Sequence, residues 1–267
     1  MVSKFTDQQY LKTDQYKDSS NLDARVAIHQ RFSTNPYCWF RWIFDTLLKL
    51  PSSARILELG CGHGLLWKEN VDRIPSGWMI TLSDLSPGML DAAWRNLVVS
   101  GRAFQFKEID AQSIPIQDET FDAVIANHML YHVPDRSKAL MEIKRVLKLG
   151  GHIFATTVGK QHMKEMNAWL ERVSQGSYVS KATIAFTLEN GLEQIQPYFS
   201  NVSASRYADQ LRVTELAPLI DYIHSMVSLA DLQQEELRQL KRELETELNR
   251  NGEIFITKDS GLFEAIK

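Results

Sequence analysis

The chain has 267 residues, 44% of them hydrophobic and 24% charged, with a formal net charge of −3. It is long enough for one large α/β domain with additions or for two small domains. The near-balanced charge gives no electrostatic reason to expect a polyanionic partner, so nucleic acid is a minority reading.

Residues 1–25 are polar, carry Tyr10 and Tyr16, and read as a mobile arm passing into a helix cap at 18–23. Residues 24–50 are helical in pattern but broken at Ser33-Thr-Asn-Pro36. The second half of that run is apolar all round, so it must be buried on more than one side. Its Trp39, Trp42 and Phe44 read as helix core rather than as a substrate cage. The two cysteines, Cys38 and Cys61, lie in unlike segments, which argues against a disulfide framework and for a reducing cytoplasm. No run of about 18 uncharged apolar residues and no cleavable leader is apparent, which predicts a protein free of the membrane.

From residue 54 the pattern alternates. Strands are predicted at 54–60, 78–84, 103–110, 121–127 and 151–158, with helices at 63–73, 87–99 and 137–148. Alternating βα units imply a doubly wound, largely parallel sheet, with ligands beyond the carboxyl ends of the strands. Glu58, Asp84, Asp110 and Asn127 all fall at or near such ends. After residue 159 the alternation stops. A helix at 160–174, a polar stretch and a short helix at 188–199 read as an insertion or cap. A strand at 201–213, helices at 215–229 and 231–250, and a closing strand-turn-strand follow, with the tail expected at the sheet edge.

The first strand runs into Glu58-Leu-Gly-Cys-Gly-His-Gly64. Three glycines at alternate positions after a strand mark a sharp turn that brings the main chain close to a ligand. Such a turn serves either a dinucleotide or another adenosine cofactor. The dinucleotide pattern G-x-G-x-x-G would need glycine at 65, where the chain has Leu65.

With Leu82-Ser-Asp84-Leu-Ser-Pro-Gly-Met89, Asp110-Ala-Gln, Phe121-Asp-Ala-Val-Ile-Ala-Asn-His128 and Arg145-Val-Leu-Lys-Leu-Gly-Gly151 in register, the chain resembles the class I S-adenosylmethionine-dependent methyltransferases of small-molecule type over residues 54–158. The resemblance implies a Rossmann-like, mostly parallel seven-stranded sheet with helices on both faces and an antiparallel last strand. It also implies an N-terminal helical lid and an insertion after the fifth strand. In this reading 1–53 form the arm and lid helices, 54–158 the cofactor-binding half, 159–200 the cap, and 201–267 the final strands with two intervening helices.

The resemblance also distributes roles. Gly60, Cys61, Gly62 and Gly64 form the turn against the methionine part of the cofactor, with Glu58 fixing the turn or reaching the amino group. Asp84 accepts the ribose hydroxyls, a charge-assisted bidentate arrangement. Leu85 and Met89 sandwich the adenine, Asp110, Ala111 and Gln112 recognise its amino edge, and Asn127 lies beneath the transferable methyl. Methyl transfer needs alignment, desolvation and, for some acceptors, a base. His128, His132 and Tyr16 are the candidates for catalysis, and Tyr10, Arg31 and Tyr131 for the substrate; Phe32 is a further residue placed to close the site.

His128 and His132 lack a third ligand, so no metal site is predicted. The fourth strand ends in Asn127-His-Met-Leu and not in the Asn/Asp-Pro-Pro-aromatic motif of enzymes that methylate base amino groups. The acceptor is therefore read as a small or mid-sized organic molecule, methylated on O, N, C or S. Trp169, Tyr178, Phe186, Tyr198 and Phe199 of the cap are consistent with a partly apolar one. An RNA or protein methyltransferase, a non-catalytic S-adenosylmethionine-binding protein and a nicotinamide oxidoreductase stay open as alternatives, as does homodimer formation.

Overall fold

The computed structural model describes residues 4–174, 185–226 and 233–267. Strand β1 (Arg55–Leu59) is buried at every position after its first, as an apolar strand covered on both faces must be. It pairs in parallel with β2 (Met79–Asp84) and with β4 (Phe121–Asn127). Strand β3 (Phe104–Glu108) extends the sheet beyond β2, and β5 (Leu147–Val158) extends it beyond β4. The full order is β3-β2-β1-β4-β5-β9-β6, with β9 (Ser260–Ile266) antiparallel to both β5 and β6 (Ser200–Tyr207). The winding reverses between β1 and β4, which opens a crevice beyond their carboxyl ends.

Side chains alternate between the two faces. Leu57, Leu59, Val124 and Ala126 pack with Ala139, Leu140 and Ile143 of helix Arg136–Val146. Ile56, Ala123 and Ile125 pack on the other face with Ile43, Phe44 and Leu47 of helix Trp39–Leu47, and with Ala93 and Leu97 of helix Pro87–Leu97. Among the described residues a third core contains no residue of the seven-stranded sheet. It joins Ile28 and Phe32 of helix Ser20–Phe32, Met166 and Leu170 of helix Lys164–Val173, and the two-stranded ribbon of β7 (Gln210–Val213) and β8 (Ile254–Thr257). Helices Leu216–His224 and Gln234–Asn251 complete it. The cap is thus drawn from both ends of the chain.

Three sequence expectations change. The single strand at 201–213 is two strands in two sheets, because Asp209 turns inward between them to pair with the buried Lys258 amine. The tail does not lie at the sheet edge: β9 is interior, and β6 forms the edge. Gly261 permits this, since a Cβ there would come within 2.4 Å of the Ser205 carbonyl oxygen. The segment read as a mobile arm is folded, with a helical turn Gln8–Tyr10, a π-helical turn Leu11–Gln15, and then helix Ser20–Phe32.

The arm is held across the strand ends. Gln8 Nε2 donates to Asp110 Oδ2 at 2.9 Å, Lys12 pairs with Glu108, and Ser86 Oγ donates to the Tyr16 carbonyl at 2.6 Å. At Gly88 the approach is closest, since a Cβ would lie 1.9 Å from the Lys17 carbonyl oxygen. Gly88→Ala should therefore lift the arm: proteolysis within residues 4–19 should accelerate about tenfold, while global stability falls by only about 1–2 kcal/mol.

Candidate active site

Beyond the strand ends lies a cavity of about 740 Å³, a volume suited to a cofactor and a small second ligand. Its first half is built from the turns after β1, β2 and β3. Gly60, Gly62 and Gly64 all take positive φ, at 66°, 54° and 78°, in the left-handed region open to glycine. Gly60 and Gly62 line the cavity with Cys61, whereas Gly64 does not. A Cβ on Gly64 would touch Leu97 at 3.1 Å and Ala93 at 3.4 Å, so this glycine serves helix packing.

Asp84 ends β2 and accepts from the Gly62 N–H at 2.9 Å and the Ser86 N–H at 2.9 Å. Burial raises its pKa against these hydrogen bonds. Leu85 and Met89 line the cavity beside it, as do Asp110 and Ala111. Burial works to raise the Asp110 pKa, but hydrogen bonds from Gln112 and Gln8 hold it below the ordinary value. Gln112 does not line the cavity. Its Nε2 donates to both Asp110 oxygens at 3.1 and 3.2 Å, and its Oε1 accepts from the Asp135 N–H at 3.1 Å. Its side chain orients Asp110.

Glu58 is buried beneath the turn, accepting from Trp67 Nε1 at 2.6 Å and Asn127 Nδ2 at 2.9 Å. Burial raises its pKa to about 8 despite those two donors. Asn127 in turn accepts from Thr156 Oγ1 at 3.3 Å. The next residue, His128, has φ of 48°, unusual for a residue with a side chain. Its N–H is held by the Thr156 carbonyl at 3.2 Å and by Thr156 Oγ1 at 3.0 Å.

The second half of the cavity is aromatic and basic. The His132 Nδ1 lies 2.8 Å from the Phe5 carbonyl oxygen, which can only accept, so its proton sits on Nδ1. Nε2 is then the acceptor for the Tyr16 hydroxyl, 3.0 Å away. Tyr16 and His132 lie far apart in sequence, and the arm brings them together. Burial is the first cause that lowers both His128 and His132 to about 4, so both rings are neutral near pH 7. Tyr131 lines the cavity with its pKa raised by burial. The π-helical turn before Tyr16 closes with its N–H on the Leu11 carbonyl at 2.9 Å; such turns recur at functional sites.

Several candidates lie elsewhere. Tyr10 and Arg31 do not line the cavity: Lys4 sits over the Tyr10 ring, and Arg31 pairs with Glu215 at 2.6 Å on the surface. Phe32 belongs to the third core. Phe186 and Phe199 are core residues, Tyr198 packs against that core, and Trp169 packs on the third core; Tyr178 lies outside the described residues. Arg25, His29, Trp39, His162, Tyr222 and Lys258 line the cavity instead. Arg25 and His29, four apart on one helix, carried a local signal, and Trp39, expected as helix core, is only partly buried against that core and also lines the cavity. Among the described residues no group of three His, Cys, Asp or Glu side chains is placed to hold a metal ion.

Comparison with known proteins places this geometry. Residues 57–155 match the family model described as a methyltransferase domain. The ubiquinone biosynthesis O-methyltransferase of Xanthomonas axonopodis pv. citri is 32% identical over 111 residues, 41% of this chain and 45% of that protein. The chain spans no more than half the length of the curated relatives compared. Among solved structures, phosphoethanolamine N-methyltransferase 2 of Haemonchus contortus, in complex with phosphomonomethylethanolamine and S-adenosylhomocysteine, aligns with a TM-score of 0.61 at 22% identity, covering 100% of this chain and 60% of that one. The [4+2]-cyclase SpnF aligns with a TM-score of 0.62 at 18% identity, covering 97% and 96%. At these identities the structures speak for the fold alone. Residues 57–155 thus match a methyltransferase domain, and the sheet order and the glycine turn agree with that match.

Proposed function

We propose that the protein transfers a methyl group from S-adenosylmethionine to a small or mid-sized organic acceptor, with Tyr16 and His132 moving the acceptor's proton. The observation that carries this reading is the continuity of the cavity, which joins the Gly60–Gly62 turn and Asp84 to the Tyr16–His132 pair.

The residues present fit the cofactor. Asp84 is a carboxylate at the end of β2 suited to two hydroxyls, Leu85, Met89 and Ala111 supply apolar walls, and Asp110 offers an acceptor edge. When bound, S-adenosylmethionine supplies an electrophilic methyl carbon for in-line displacement. The protein's part is alignment and proton handling. On this reading the Tyr16 oxygen takes the proton of the acceptor nucleophile as its own proton passes to His132 Nε2. The Phe5 carbonyl holds His132 Nδ1–H and stabilises the resulting imidazolium. The fold similarity to a cyclase favours a second reading, a cofactor-binding protein that does not methylate; turnover with an acceptor separates the two.

Asp84→Ala should weaken S-adenosylhomocysteine binding by about 100-fold or more, since two hydrogen bonds to a charged group are at stake; calorimetric titration measures it. Tyr16→Phe and His132→Gln should lower kcat by about 10²–10⁴ with S-adenosylhomocysteine affinity unchanged. Because His132 must be neutral, the acid limb of wild-type kcat/KM should fall near pH 4, well below the ordinary imidazole value of 6.5.

Glu58 makes a separate test. Its folded value near 8 lies above the ordinary 4.5, so its favourable contribution to stability is full below 4.5 and is lost as pH rises through about 8. The cationic groups of the cofactor favour the ionised carboxylate, so binding at pH 7 should release up to about one proton. Titrations in buffers of different ionisation enthalpy should show that release in the wild type and not in Glu58→Gln.

A further inference from the structure

We propose that the methyl acceptor carries an oxyanion, a carboxylate or a phosphate, received between Arg25 and His29. This rests on the methyl-transfer reading and adds the class of acceptor to it.

The two residues are four apart on helix Ser20–Phe32, so they share a face, and both line the cavity. Among the described residues, Arg25 Nη2 and His29 Nδ1 are the buried side-chain nitrogen and oxygen atoms that lack a hydrogen-bond partner. Arg25 spends Nε on the Asn21 carbonyl at 3.2 Å and lays its guanidinium over the Tyr16 ring at 5.2 Å. Among the described residues it has no ion pair, although the other buried cation of the cavity, Lys258, is neutralised by Asp209.

The cavity is divided by charge. Its lining carboxylates are Glu58, Glu69, Asp84 and Asp110, all on the segment that builds the cofactor half. Burial works to lower the Arg25 pKa, and the groups that oppose it are Tyr16, Tyr131 and Tyr222, with Tyr16 also taking a hydrogen bond from its side chain; no carboxylate is among them. His29 faces His162, with ring centroids 6.2 Å apart, and the edge of Tyr222 at 5.9 Å. Burial, then the charges of Lys258, His162, His128 and Arg25, holds His29 well below the usual imidazole range. A buried guanidinium with a free N–H and no counter-charge is costly unless a ligand completes it. An oxyanion does so with charge-assisted hydrogen bonds in the fork geometry of arginine.

The competing partner for Arg25 is the cofactor's own carboxylate. The position of the guanidinium over Tyr16, whose hydroxyl bonds His132, favours the acceptor side. The test uses protein saturated with S-adenosylhomocysteine and titrated with benzoate, phenyl phosphate and the neutral benzamide. At least one anion should bind about tenfold or more tighter than benzamide, and which one does distinguishes carboxylate from phosphate. Arg25→Gln should bring anion affinity down to that of benzamide and leave S-adenosylhomocysteine affinity within about twofold, whereas Arg25→Lys retains part of the preference. Benzamide binding the wild-type protein as tightly as both anions would overturn the proposal without needing a variant. So would an Arg25→Gln protein that loses S-adenosylhomocysteine affinity by the same factor as anion affinity, which would assign Arg25 to the cofactor. Failure of S-adenosylhomocysteine to bind the wild type is seen at the loading step and sinks the functional reading itself.

Discussion

The buried carboxylate of Glu58 is the interaction on which the rest of the site depends. It sits inside the sheet, where burial favours its protonated form, and two donors fix its position: Trp67 from the helix after β1 and Asn127 from the end of β4. Asn127 is fixed in turn by Thr156 of β5, which also holds the strained backbone of His128. One polar chain therefore crosses three strands and sets the floor of the cavity. Because each member satisfies the next, the network specifies geometry as well as stability.

How much of this was legible in the sequence follows from where the information sits. Strands β1, β2 and β4 are buried on both faces, so their apolar runs and the acidic or amide residues at their ends can be read locally. Glu58, Gly60, Gly62, Asp84, Asp110 and Asn127, expected at strand ends and the glycine turn, accordingly line one half of the cavity. Gln112 is an instructive exception: its place beside Asp110 is as expected, but its amide is consumed by that carboxylate and by Asp135. A pattern of residue types cannot show which way a side chain spends its hydrogen bonds.

The aromatic and basic half of the cavity is written across the chain and not along it. Asp209 and Lys258 form a buried pair between two turns 49 residues apart, and the same carboxylate accepts from Ser33, Thr34 and Asn35 at the end of the arm helix. No local period encodes such a contact. That inward carboxylate is also what splits the stretch read as one strand into β6 and β7. The aromatic residues of the cap misled for a related reason. Phe186 packs at a tilt against Phe263, ring centroids 5.8 Å apart, in the main core, while Arg25, His29, His162 and Lys258, which line the cavity, lie on segments whose composition is unremarkable.

The arm joins these two halves into one mechanism on the reading proposed above. Tyr16 is a reacting side chain, yet its own carbonyl is held by Ser86 at the end of β2 and its neighbour Lys17 rests on Gly88. The same few residues thus cover the cofactor half and complete the proton relay with His132. On that reading the segment moves to admit the cofactor, and the Tyr16–His132 contact forms when it returns. Closure and assembly of the relay are then a single event, so water is displaced as the base comes into place. A neutral, half-buried His132 is consistent with that coupling: on this reading it takes its proton through the tyrosine that the closed arm presents.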